Sequence, residues 1–154
     1  YRAPKAPMKI LKADTRNTPL ESQSVDCIIS SPPYYNTLNY VDTNKVRLFF
    51  LGLNGVVEDG LRDCLIQNKK SYLEEMKKVG LELLRVLKMD RYLVFVLGDV
   101  HYTSYSINTA LEVSKIYEEL GFKRVAIVDD EIPSNKTASQ TRRRKFDRIL
   151  VMKH

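Results

Sequence analysis

The segment Val25-Asp26-Cys27-Ile28-Ile29-Ser30-Ser31-Pro32-Pro33-Tyr34 decides the fold that we expect for this chain of 154 residues. Its first six residues are nearly all apolar, as expected for a strand that is covered on both faces of a sheet. Cys27 is expected in that strand as a small hydrophobic core residue. Pro32 and Pro33 end the strand, because proline has no N–H to donate to a neighbouring strand. The segment therefore predicts a buried strand over residues 25–30, followed by a stiff turn.

The rest of the chain alternates between apolar strands and amphipathic helices. Helices are predicted over residues 71–87 and 107–120, the first begun by Ser71 and Glu74 as a capping box and the second ended by Gly121. The other predicted strands cover residues 8–13, 92–97, 123–129 and 147–153. This alternation predicts an α/β fold, and the last two strands, which have no helix between them, could form an antiparallel pair at the sheet edge.

Composition limits the class of protein and its partners. The net charge of +6 and the pI of about 9.3 favour a polyanionic partner. Two cysteines without a metal-binding or disulfide pattern fit a reducing cytosol, so a cytoplasmic location is expected. No apolar stretch approaches the ~20 residues of a membrane span. No membrane association is therefore predicted. His101 and His154 have no metal-type neighbours, so no metal site is predicted either.

Polar or turn-forming residues follow three of the predicted strands. They are Asp14, residues 30–35 and Gly98-Asp99. In open α/β sheets, ligands collect beyond the carboxyl ends of the strands, so these segments are expected to meet at one edge. The prolines hold neighbouring carbonyl groups in a fixed geometry, which would suit acceptance of hydrogen bonds from an amino group. Tyr34 and Tyr35 offer flat faces on which a planar ring could stack.

The strand that ends in Ser31-Pro32-Pro33-Tyr34 closely resembles the catalytic motif of S-adenosylmethionine-dependent DNA methyltransferases that modify exocyclic amino nitrogens, the adenine-N6 and cytosine-N4 type. Residues 13–20 are similar to that family's acidic loop, and residues 34–40 and 84–99 are similar to further family segments. The resemblance covers almost the whole chain. It implies a partial Rossmann-like class I methyltransferase sheet with an antiparallel strand pair at its edge.

The resemblance also implies roles for individual residues. Catalytic roles fall to Ser31, Pro32, Pro33 and Tyr34, and S-adenosylmethionine binding to Asp14, Ser30 and Asp99. Contacts to double-stranded DNA fall to Tyr35, Asn36, Arg142, Arg143, Arg144 and Lys145. The target base would rotate out of the duplex, stack on Tyr34 and donate its amino hydrogens to Ser31 and the Pro32 carbonyl. Such an enzyme could be the modification arm of a restriction–modification system.

One feature of the family has no counterpart in this sequence. The Gly-rich cofactor loop should read Phe-x-Gly-x-Gly, and none of the six glycines pairs as Gly-x-Gly. The chain, residues 1–154, is therefore expected to be a single domain, the catalytic half of the fold, with residues 52–70 as a variable loop. Since it begins at Tyr1, it is expected to be part of something longer. A missing segment or a second subunit would supply the loop.

Two other functions stay open at this point. One is methylation of an RNA base, because similar motifs occur in RNA enzymes. The other is a non-catalytic DNA-binding partner subunit, which the missing loop would suit. The choice between adenine and cytosine, and the recognition sequence, are not decided by these residues.

Overall fold

A computed structural model describes residues 7–35, 40–53, 60, 65–66, 71–101, 104, 106–131 and 146–154, without the side chains of residues 101 and 146. Within these ranges the helices are α1 (Tyr40–Thr43), α2 (Lys45–Phe50), α3 (Tyr72–Val86) and α4 (Thr109–Leu120). The strands are β1 (Val25–Ser30), β2 (Leu87–Gly98), β3 (Val100–His101), β4 (Ser106–Ile107), β5 (Lys123–Glu131) and β6 (Phe146–Lys153). None of the described helices is both long and apolar enough to cross a membrane.

The main sheet has four strands in the order β1-β2-β6-β5. β1 runs parallel to β2, with α3 in the connection between them, as expected for a β-α-β unit. β6 pairs antiparallel with both β2 and β5. The mixed α/β sheet and the antiparallel pair at its edge are therefore confirmed. A separate short ribbon, β3 and β4, follows β2.

The hydrophobic core lies on one face of this sheet. Side chains that alternate along β2 and β6 point to α3 and α4, which also pack on each other. These buried side chains include Leu93, Phe95, Leu97, Leu150 and Met152 from the sheet, Met76 and Val79 from α3, and Val113 and Tyr117 from α4. The helices approach closely at Gly80, where an added Cβ would lie 2.7 Å from the Tyr117 ring.

The opposite face of the sheet is not covered by the described residues, which corrects the expectation for β1. Cys27 is exposed, and Ile29 is 75% exposed. Both point away from α3 because side chains alternate along a strand and Ile28 faces the core. The prediction that β1 is covered on both faces of the sheet is therefore wrong for the described residues.

Several local features also differ from the sequence-based expectation. Residues 8–13 form no strand; they are exposed, and no strand of the described ranges pairs with them. β2 begins at Leu87 rather than at residue 92, because its first residue already pairs with Val25 of β1. Ser71 makes no side-chain capping hydrogen bond, since its own backbone is helical. The second helix begins at Thr109 rather than at residue 107, because Ile107 belongs to β4 and Asn108 caps the helix. Its predicted end is confirmed, with the left-handed Gly121 (φ 113°) following Leu120.

Candidate active site

The Ser31-Pro32-Pro33-Tyr34 segment leaves the sheet at the carboxyl end of β1. Ser30 pairs with Phe95, so Ser31 comes level with the next residue of β2. The Ser31 hydroxyl donates to the Val96 carbonyl oxygen at 3.3 Å, which holds the start of the turn against the sheet. The prolines and Tyr34 are half-buried, and the Tyr34 N–H donates to the Tyr40 hydroxyl at 3.4 Å.

A cavity of about 250 Å³ lies between this turn and α3. Ser30, Ser31, Pro32 and Pro33 form one wall, and Thr15 of the acidic loop lines it as well. The floor is apolar and consists of Ile28, Ile66, Met76, Val79, Leu83 and Phe95. The structure therefore brings the motif and Thr15 of the acidic loop to one hollow. The predicted reason for this meeting is wrong, because no strand precedes the acidic loop in the described residues.

The acidic loop is closed by an ion pair inside it. Arg16 contacts both carboxylate oxygens of Asp14, with its Nη2 2.6 Å from Oδ2 and its Nε 2.9 Å from Oδ1. These hydrogen bonds lower the pKa of Asp14 to about 2. Arg16 Nη1 also donates to Glu75 of α3 at 2.6 Å. The loop is thus attached to the helix that lines the cavity.

A second attachment of the acidic loop to α3, which the sequence did not predict, is made by Thr18. Glu82 Oε1 accepts from the Thr18 N–H at 2.8 Å and from the Thr18 hydroxyl at 2.7 Å. Arg85 binds Glu82 and donates to the Leu20 carbonyl oxygen at 2.9 Å. The Arg85 hydrogen bond is the main cause that lowers the pKa of Glu82 to about 2, and the Thr18 bonds add to it. Glu75 and Glu82 are seven residues apart and therefore lie on one face of α3. This spacing is the sequence pattern that could have predicted that both side chains contact the same loop.

Asp99 does not line the cavity of the motif. It is buried at the end of β2, where its Oδ2 accepts from Arg148 Nε at 2.8 Å, while its Oδ1 has no hydrogen-bond partner among the described residues. Arg148 also binds Asp129 of β5. The described position of Asp99 is therefore that of an anchor between β2 and the antiparallel strand pair.

Tyr35 is buried rather than open to solvent. Its ring stacks on Tyr72 with centroids 4.8 Å apart, and burial raises the pKa of Tyr72. Tyr35 also lines a second cavity of about 480 Å³, next to the first turn of α4. Asn36 and the basic run Arg142, Arg143, Arg144 and Lys145 lie outside the described residues.

The chain matches part of the fold of solved S-adenosylmethionine-dependent methyltransferases. TTHA0409 of Thermus thermophilus, assigned by name as a DNA modification methylase, superposes with a TM-score of 0.59 at 20% identity, over 92% of this chain and 51% of that one. Its complex with S-adenosyl-L-methionine gives the same TM-score. A Methanosarcina mazei methyltransferase matches at 0.50 and 11% identity, over 92% of this chain and 64% of that one.

Sequence comparison points to the same kind of protein. The type II methyltransferase M.AvaI, from Nostoc sp. and from Anabaena variabilis, is 27% identical in an alignment that is 152 residues long. The alignment covers 66% of this chain and 32% of that protein. No family model matches. The chain is therefore distantly similar to DNA methyltransferases, and it spans about a third of the length of these curated relatives.

Proposed function

We propose that this chain is the base-holding half of an S-adenosylmethionine-dependent DNA methyltransferase that acts on the exocyclic amino nitrogen of adenine or cytosine. The observation that carries the proposal is the cavity shared by Thr15, Ser30, Ser31, Pro32 and Pro33 at the carboxyl end of β1. The similarity to M.AvaI supports a DNA substrate. The fold supports methyl transfer.

Ser31 can act as a hydrogen-bond acceptor for the amino group of the base. Its single hydroxyl hydrogen is engaged by the Val96 carbonyl oxygen, which leaves its lone pairs as the remaining hydrogen-bonding capacity. The Pro32 carbonyl oxygen would be the second acceptor. Two acceptors on one NH₂ group fix its orientation, and they favour a nitrogen whose lone pair is turned out of conjugation with the ring. Fixed orientation of this kind is the main contribution that a positioning site makes to the rate.

Tyr34 would stack on the base after it rotates out of the duplex. Unstacking costs a few kcal/mol, and stacking on an aromatic side chain returns about 1–3 kcal/mol. Tyr34 is half-buried, so part of its side chain reaches solvent. Asn36 and the basic run at residues 142–145, which lie outside the described residues, would contact DNA.

The described residues alone do not make a complete holder for S-adenosylmethionine. The cavity of about 250 Å³ is smaller than the ~300–1,000 Å³ typical of pockets for ligands of this size. Both carboxylate oxygens of Asp14 are already bound by Arg16. We infer that Asp14, Ser30 and Asp99 lie on the side of the site that faces S-adenosylmethionine. Most contacts to the cofactor would come from the part of the methyltransferase fold that this chain does not match in its relatives. S-adenosylmethionine would supply the methyl group.

The test is methyl transfer from labelled S-adenosylmethionine to duplex DNA by the complete natural protein. Tyr34→Ala removes the stacking surface and is expected to lower the rate by about 10- to 100-fold, since stacking contributes about 1–3 kcal/mol. Tyr34→Phe keeps the ring and is the matched control, expected to retain most of the rate. Activity that survives Tyr34→Ala combined with Pro32→Ala would overturn the catalytic assignment. Mass spectrometry of the product nucleosides would identify the base.

A non-catalytic partner subunit is the second candidate, favoured by the absence of a Gly-x-Gly loop from the sequence. It predicts that the complete protein binds DNA but transfers no methyl group with or without Tyr34. RNA as the methyl acceptor is an outcome of the same assay, run with single-stranded and duplex RNA in place of DNA.

A further inference from the structure

The short helix α2 ends in a cluster of exposed apolar side chains. Phe49, Phe50 and Leu51 are 64%, 81% and 71% exposed, and the two phenyl rings meet edge to face at a centroid distance of 5.8 Å. We call these three residues the aromatic tip. We propose that the aromatic tip enters duplex DNA, where Phe50 occupies the space that the target base leaves when it rotates into the site. The proposal rests on the proposed function and adds the residues that hold the duplex open.

The aromatic tip points away from the rest of the described protein. Leu48 is the one residue of α2 that is partly covered, and the others are exposed. Val46 and Phe50 are each two residues from Leu48, so at about 3.6 residues per turn they lie on the opposite side of the helix. Val46 is 70% exposed. The two side chains therefore form an outward apolar ridge that ends at Phe50.

The turn after α2 holds the aromatic tip in place. The Leu53 N–H donates to the Leu48 carbonyl oxygen at 2.9 Å, and the Gly52 N–H donates to the Phe49 carbonyl oxygen at 3.0 Å. Gly52 has φ 69°, a left-handed conformation that glycine adopts without strain. A tip that is already ordered loses little conformational entropy when it enters a partner.

Positive charge flanks the apolar ridge and favours DNA as its occupant. Lys45 and Arg47 lie on either side of Val46, and both are exposed. The sequence has no acidic residue between Asp42 and Glu58. A wedge that enters a duplex passes between phosphate groups, and cationic side chains beside it would contact them. This charge complementarity is the reason to choose a nucleic acid over another part of the polypeptide.

Hydrogen bonds connect α1 and α2 to the turn of the catalytic motif. The Tyr40 hydroxyl accepts from the Tyr34 N–H at 3.4 Å, and the Tyr40 carbonyl oxygen accepts from the Asn44 side-chain amide at 2.8 Å. The ten residues from Tyr40 to Phe50 span at most about 15 Å at the helical rise. That span is close to the ~12 Å width of the major groove. Tyr34 can therefore hold a rotated base while Phe50 occupies the gap in the same duplex.

An inserted side chain would lower the free-energy cost of base rotation. Apolar side chains such as phenylalanine and leucine enter between base steps in many proteins that deform DNA. Phe50 would replace part of the stacking that the neighbouring bases lose, and it would block the return of the target base. The benefit should be largest for a fully paired target, because a mispaired base costs less to unstack.

The first experiment compares methyl transfer to a fully paired duplex and to one whose target base is mispaired. It uses the complete natural protein and a recognition sequence selected from a random-sequence pool of duplexes. Phe50→Ala is expected to lower kcat/KM at least about 10-fold on the paired duplex and less than about 3-fold on the mispaired one. Phe50→Leu keeps an apolar wedge and should retain most of the rate. Leu81→Ala, at an exposed position of α3, is the control and should change neither rate.

The second experiment measures maleimide labelling of a Phe50→Cys variant in which the natural cysteines are replaced by serine. The thiol should react fast in the free protein and at least about 10-fold more slowly with the selected duplex bound, because insertion between base steps buries it. A Leu81→Cys variant in the same background should react equally fast with and without DNA.

The possible outcomes separate the wedge from the proposed function. Phe50→Ala with full activity, or with equal losses on both duplexes, would overturn the wedge and leave the function intact. Slow labelling of the free protein would overturn it in favour of a polypeptide that covers the aromatic tip. Protection by anionic lipid vesicles but not by DNA would overturn it in favour of a membrane. In a protein that transfers no methyl group, the function fails, and protection of the Phe50→Cys thiol by DNA would still support insertion.

Discussion

Glu82 is a buried carboxylate whose hydrogen-bond donor Thr18 lies 64 residues earlier in the chain. It receives two hydrogen bonds from Thr18 and an ion pair from Arg85, so its charge is compensated inside the fold. Through Thr18 it fixes the acidic loop, and Thr15 of that loop lines the candidate site. At the scale of single residues, the geometry of the cavity therefore depends on a side chain that lies outside it.

Replacement of Glu82 by glutamine tests this role. Loss of the charge-assisted hydrogen bonds is expected to lower the free energy of unfolding by about 2 kcal/mol at pH 7. Glu74→Gln, at an exposed position on the same helix, is the control and should change it by less than about 0.5 kcal/mol. Urea unfolding provides the measurement, and equal stability of the two variants would contradict the role.

The same carboxylate predicts a dependence on pH. Its pKa is lowered from 4.5 to about 2 in the folded protein, so its stabilising effect is present above pH 4.5 and is lost as the pH falls from 4.5 towards 2. The stability difference between wild type and Glu82→Gln should therefore shrink across that window. A difference that stays constant from about pH 5 to about pH 2.5 would show that the charge of Glu82 is not the cause.

Sequence could predict some of these residues and not others. Ser31 to Tyr34 are adjacent in the chain, and their rigid local geometry follows from the prolines themselves. Thr18 and Glu82 come together only in the tertiary structure, so no local pattern links them. Cys27 was predicted to be a core residue and is exposed, whereas Tyr35, predicted to contact DNA, is buried. Apolar character alone does not say which side of a strand or turn will be covered.

At the scale of elements, α3 and α4 were predicted well because each has an apolar stripe at helical spacing. Their closeness was not predicted. Gly80 has no side chain, which allows Tyr117 of α4 to lie against the α3 backbone. The Tyr117 ring is fully buried between Phe122, at a centroid distance of 5.5 Å, and Phe95, at 6.0 Å, so it has no room to move away.

Gly80→Ala is therefore expected to destabilise the helix pair. The new methyl group would lie 2.7 Å from the ring of Tyr117, and overpacking of a closed core costs about 1–3 kcal/mol, of which the better helix propensity of alanine offsets up to about 1 kcal/mol. Lys77→Ala, on the exposed side of α3, is the control. Thermal unfolding should show a lower Tm for Gly80→Ala alone; an unchanged or raised Tm would mean that the two helices separate easily.

At the scale of the whole molecule, the net charge of +6 leads to a prediction about DNA. If residues 142–145 contact phosphates, Arg143→Gln with Arg144→Gln should weaken binding to all duplex sequences alike. The slope of log K against log salt should become shallower by about 1.8, since each phosphate contact contributes about 0.9. Lys77→Gln with Lys123→Gln removes the same charge elsewhere and should change the slope less. A loss confined to one DNA sequence would contradict a backbone-contact role.

The sequence by itself determined the order of the central elements, the rigid turn after β1 and the antiparallel pair at the sheet edge. These follow from local causes: apolar periodicity, proline geometry and glycine at a helix end. Only the tertiary structure decided that both long helices cover the same face, that residues 8–13 pair with no described strand, and that the acidic loop is held by Glu75 and Glu82. Those outcomes depend on which surfaces, distant in sequence, pack together. The apolar pattern within one helix or strand does not specify the element against which it packs.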